Sequence, residues 1–168
     1  MPSLPDSSLS GERIRHPLLK ELYEYWKGLG ASGGTPLKSR FDPVDLRAAL
    51  WPRLHMIEIP EDGDVARNRV LGTYVVAAVG LDFTGKRLSD SDIPGMTSSV
   101  TYALLQRLMV TGEPQHYFGP PNFGATGRFA THEQVLLPLS DEAGRIVGAV
   151  GALDYPGFTP VLFDHKAD

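Results

Sequence analysis

The chain has 168 residues, 42% of them apolar and 21% charged, which is the mixture of one globular domain plus tails. Its formal net charge is −4 and no run of Lys or Arg exceeds two, so it lacks the electrostatic footprint of a nucleic-acid binder or a polybasic membrane patch. It contains no cysteine, which excludes disulfides, thiolate catalysis, Cys-ligated zinc and iron–sulfur clusters.

Residues 1 to 13 are rich in Ser and Pro and read as a disordered lead without the apolar segment of a secretory signal. The longest apolar stretch, Val70 to Leu81, is too short and too interrupted to span a bilayer, so a cytoplasmic protein is expected. A helix opens at His16-Pro17, where proline loses little by lacking an N–H. Leu18, Leu19, Leu22, Tyr25, Trp26 and Leu29 recur at spacings of three and four, and Gly28 and Gly30 end the helix. Its apolar face, centred on Trp26, packs either on its own domain or on a second copy. ASGGTPLKSRFDP is a loop by composition. Asp42 caps a short helix holding Val44, Leu46, Ala49 and Leu50, with Pro43 at its first position and Trp51-Pro52 stopping it.

Residues 53 to 59 alternate and are followed by a Pro-Glu-Asp-Gly-Asp turn; residues 66 to 72 form the second strand of a hairpin. TYVVAAVG suits a strand by its valines, but Thr73 as N-cap and Gly80 as stop favour a two-turn helix that packing must hold. Residues 80 to 85 open an irregular turn. The helix over 95 to 111 places Met96, Val100, Ala103, Leu104, Leu108 and Thr111 on one face and ends at Gly112. A strand at about 114 to 119, the loop GPPNFGATGR, a strand with Val135, Leu137 and Leu139 on one side, a turn at Asp141 to Gly144, and a last strand at 145 to 154 complete the pattern. From Tyr155 the chain is a tail. Strands do not alternate with helices, so the pattern is α+β: a five-stranded antiparallel sheet with helices on one face and an extra N-terminal helix.

Arg-Val-Leu-Gly-Thr at 69 to 73 and Gly-x-Asp-x-Thr-Gly at 80 to 85 carry a family likeness. Trp26, Arg40-Phe41-Asp42-Pro43 and Trp51-Pro52-Arg53-Leu54 support it. With the order of elements, they resemble a PAS domain, of a bacterial single-domain PAS-like family of largely unknown function, over roughly residues 18 to 154. With the N-terminal helix included, the domain is expected at 14 to 154, between the lead and a tail of 155 to 168. The resemblance implies a sensory module with a small molecule held between sheet and helices, relaying occupancy through a homodimer or a downstream partner. A ligand-free interaction module and a small enzyme are the alternatives. PAS domains hold haem, flavin, other chromophores, small carboxylates or nothing. The absence of Cys disfavours a flavin adduct and a thioester-linked chromophore. Haem is disfavoured because no His lies on the 95 to 111 helix, although His116 follows it.

Six residues are candidates for the pocket: Arg69, Tyr74, Tyr102, Arg107, His116 and Tyr117. The two arginines suit a carboxylate, whose two oxygens match a guanidinium fork, although a strand arginine ordinarily points to solvent. The tyrosines offer hydroxyls, as half-buried core tyrosines also do. His55, His116 and His132 fall on three strands without metal-ligand spacing. Neither a nucleophile elbow nor a phosphate loop occurs, so no enzyme activity or metal site is expected. Gly148, Ala149, Gly151 and Ala152 leave the last strand with little side-chain volume, which signals either a close neighbour or open space above it.

Overall fold

The structure is a computed structural model and describes residues 9, 11–30, 34–123 and 127–160. Most of the expected disordered lead and residues 161 to 168 of the expected tail lie outside the described residues; Gly11–Arg13 form a 3-10 turn. Five strands, β1 (Leu54–Glu58), β2 (Arg67–Leu71), β3 (Gln115–Gly119), β4 (His132–Ser140) and β5 (Ile146–Asp154), make one sheet in the order β2-β1-β5-β4-β3. Every pairing between these five strands is antiparallel. The two ends of the domain therefore meet in the middle of the sheet, where β1 lies against β5.

Three α-helices cover this sheet: α1 (Pro17–Leu29), α2 (Thr73–Val79) and α3 (Val100–Thr111). They divide by face. Helix α1 packs Leu19, Leu22 and Trp26 on Val135, Leu137, Leu139 and Val150. Leu19 and Leu22 are fully buried, each stabilising the fold by about 2 kcal/mol. The indole Nε1 of Trp26 donates to the Pro138 carbonyl at 2.8 Å, so the apolar side of α1 rests on its own domain. The opposite face carries Ile57, Leu136 and Ala149 beneath α3, and α2 packs near Leu153 and Tyr155. With both faces covered, every residue of β4 is buried. Pro138 is tolerated there because β3 pairs only as far as Leu136, so no ladder bond calls for an N–H at position 138 on that side.

Several local expectations need correction. Tyr23, outside the expected apolar stripe, is buried in the core of the α1 face, and Gly28 is inside the helix, which stops at Gly30. The single short helix after Asp42 is two 3-10 turns, Pro43–Asp45 and Ala48–Arg53, and Pro52 sits inside the second. Asp42 does cap, accepting from the Val44 N–H at 2.9 Å. Helix α2 exists, but its N-cap is Gly72 and Thr73 is its first helical residue. A Cβ at Gly72 would collide with the Pro52 carbonyl, so close backbone approach overrides the capping preference of Thr73. Gly80 stops α2 in a left-handed conformation, φ 91°. The expected helix over 95 to 111 breaks in two: a 3-10 turn at Met96–Ser98, then α3, capped by the Ser99 hydroxyl accepting from the Tyr102 N–H at 3.1 Å. Thr111 is exposed rather than on the buried face. No helix among the described residues is long and apolar enough to cross a membrane.

Candidate ligand cavity

A cavity of about 60 Å³ lies between the sheet and the α2–α3 layer. Its floor is polar. His55 of β1 and His132 and Gln134 of β4 share the parity that faces the helices, opposite to Val135 and Leu137. Its walls are mostly apolar: Val75 and Val79 from α2, Phe83 and Leu88 from the following turn, Met96 and Val100 at the start of α3. Pro121, Asn122 and Phe123 close it from the β3–β4 connection. Asn122 fixes that connection to the break before α3, accepting from the Val100 N–H at 2.9 Å and donating to the Ser98 carbonyl at 3.0 Å.

The small residues of β5 find their reason here. His55 pairs with Gly151, and a Cβ on Gly151 would collide with the His55 ring. The imidazole occupies the volume the glycine leaves. His55 and His132 are each 3% exposed. Among the described residues, the Nε2 atom of His55 and the Nδ1 atom of His132 find no hydrogen-bond partner of normal geometry. Burial pushes the His55 imidazole down to about 4 with nothing acting against it. Burial likewise pushes His132 down to about 4, with the Gly119 carbonyl acting the other way. Both rings are therefore neutral at pH 7. The Thr101 hydroxyl donates to Gln134 Oε1 at 3.1 Å, which turns the Gln134 amide nitrogen toward His132 Nε2 at 3.0 Å. Tyr155, pushed up to about 12 by burial and by Tyr74, is neutral too.

Among the residues lining the cavity there is no Asp, Glu, Lys or Arg. Among the described residues no group of three or more His, Asp or Glu side chains is placed to hold a metal ion. The volume is below the roughly 150 Å³ in which a benzene ring fits, so neither a flavin nor a haem fits this arrangement.

None of the six residues expected to form a pocket lines this cavity. Arg69 is at the surface, paired with Glu58, because a bulge in β1–β2 turns it outward. Tyr74 lies under the Arg53 guanidinium, 4.0 Å from its ring centre, and its hydroxyl donates to the Tyr155 carbonyl at 3.2 Å. Tyr102 is half-buried against the core on the α3 side, and Arg107 is half-buried on α3. His116 is on the other face of the sheet, with Nε2 2.9 Å from Glu133. Tyr117 packs on His132 at 5.0 Å between ring centres, while its hydroxyl donates to the Pro120 carbonyl at 2.9 Å. The signal that reaches the true lining is strand parity: if 135, 137 and 139 face one way, 132 and 134 face the other.

A polar cluster at one end of the sheet ties the cavity strands to α1. Glu133, between His132 and Gln134, is 1% exposed and points to the α1 face. Its carboxylate accepts from the Arg15 and His16 N–H groups, each at 2.8 Å, immediately before α1. Burial raises its pKa, but His116 and these two amides prevail and hold it below the usual carboxylate range. His16 is the N-cap of α1: its Nδ1 accepts from the Leu18 N–H at 3.1 Å, and its Nε2 lies 3.7 Å from Asp154. Asp154, at the end of β5, also receives Arg53 at 2.7 Å.

A protein-family model described as PAS domain matches residues 14–154. A comparison with curated proteins returns no match.

Proposed function

The chain belongs to the PAS-domain family, whose members are sensory or interaction modules, and we propose that it senses a small molecule and reports its presence through α1. The observation that carries this reading is the alternation along β4. His132 and Gln134 line the cavity, and Glu133 between them holds the backbone amides that lead into α1. A ligand that moves His132 or Gln134 also moves the strand segment to which α1 is tied. Asp154 offers a second link, since Leu153 and Tyr155 on either side of it line the cavity. Occupancy changes the docking of α1 only if the ligand binds one docking more tightly than the other. The receiver is a second copy of the chain or a downstream protein. The apolar side of α1 is already buried, so such a partner meets its charged outer side or takes the place of the sheet.

The small size of the cavity favours one other reading, a ligand-free interaction module whose core is merely imperfectly filled. Native mass spectrometry of freshly purified protein separates the two. A retained small molecule, or heat stabilisation by a metabolite, supports the sensor. A bare chain that no metabolite stabilises, in a tight dimer or hetero-complex, supports the interaction module.

A further inference from the structure

We infer that the cavity selects a small uncharged molecule, apolar over most of its surface, with a hydrogen-bonding oxygen or nitrogen that reaches the His55 imidazole. The inference rests on the cavity being the sensing site. Charge is excluded by the lining. No cation or anion is available among those residues, so an ionised ligand would lose its water and gain a counter-ion only by forcing a proton onto a buried histidine. The expectation that Arg69 would meet a carboxylate ligand therefore does not hold, because Arg69 is turned out to Glu58.

Polarity is required by the floor. Buried polar atoms in folded proteins almost always find a partner, and His55 Nε2 has none among the described residues. It is the stronger of the two unpartnered positions, since His132 has the Gly119 carbonyl beside it. Substituents on the ligand meet Val75, Phe83 and Phe123, the last two with ring centres 5.7 Å apart. At about 60 Å³ the space takes a few heavy atoms, which limits affinity to roughly the micromolar range at best.

Propanamide and propionate have nearly the same shape and differ in charge, which makes them the deciding pair. At pH 7.5, where propionate is ionised, propanamide should shift the His55 ring resonances saturably in NMR spectra of the full chain. Propionate should bind at least tenfold more weakly. His55→Phe should weaken propanamide at least fivefold; if that variant does not fold, the isosteric pair on the unaltered protein decides alone. Propionate binding as well as propanamide, or neither compound shifting His55, overturns the inference. The Trp26 indole resonance, read in the same spectra, reports on α1. If propanamide moves His55 and leaves Trp26 still, the neutral-ligand inference stands and the relay to α1 falls.

Discussion

The two faces of the sheet are built from the same strands but are finished differently. On the α1 face the polar groups are used up: Glu133 accepts three hydrogen bonds and Trp26 has the Pro138 carbonyl. On the α2–α3 face, two buried imidazoles line a gap; among the described residues His55 Nε2 has no partner, and His132 Nδ1 has only the poorly aligned Gly119 carbonyl beside it. A closed face fixes a structure. A face with unmet hydrogen-bonding capacity is less stable empty than filled, which is what a binding site requires.

The comparison breaks most visibly at Glu133. Glu133→Ala strands the Arg15 and His16 amides and the His116 ring together, so a loss of about 3 kcal/mol is expected in denaturant unfolding, with faster hydrogen exchange confined to α1. A loss below about 1 kcal/mol would mean that α1 docks by its apolar side alone.

Next is pH. Native His55 and His132 bind protons only near pH 4, whereas unfolded histidines do so near 6.5. Between those values the unfolded state holds more protons, so stability rises with pH, is fully present above about 6.5 and is lost as pH falls toward 4. Each ring contributes up to about 3 kcal/mol. His16, also held below 6.5 chiefly by burial, acts in the same direction, and Glu133 adds a further loss at lower pH. Replacing both cavity histidines by Phe should flatten most of the dependence between pH 6.5 and 4; an unchanged slope would place its origin elsewhere.

Gly151→Ala should cost about 2 kcal/mol or more, since the new methyl must displace the His55 ring and also meets the Val135 carbonyl of β4. It sharpens the contrast, because the substitution acts on the cavity floor and on the β4 backbone beside it; unchanged His55 resonances would count against the packing described. Trp26→Phe, on the closed face, removes one hydrogen bond and should cost about 1 kcal/mol without altering the cavity resonances.

The sequence reading reached the fold because periodicity and turn residues carry it. The hairpin of β1 and β2, the glycine stop of α2 and the three C-terminal strands all follow local rules. Gly72 shows where local rules end: Thr73 is a good cap, but the Pro52 carbonyl comes from 20 residues earlier and only contact reveals it. The cavity was less legible for the same reason. Charged and aromatic residues attract attention as ligand contacts, yet Arg69 and His116 are each consumed by a carboxylate that folding brings to them. The lining instead depends on which parity of β1 and β4 faces the helices, and on a glycine opposite His55 that makes room for its ring.

The contrast depends on the cavity floor being buried and uncharged, and the titration of the two rings tests that directly. Proton NMR of His55 and His132 in the intact protein should give midpoints of about 4 for both. Midpoints near the ordinary value of about 6.5 in the folded chain would show that water or a counter-charge already satisfies them, and would contradict the contrast between the two faces.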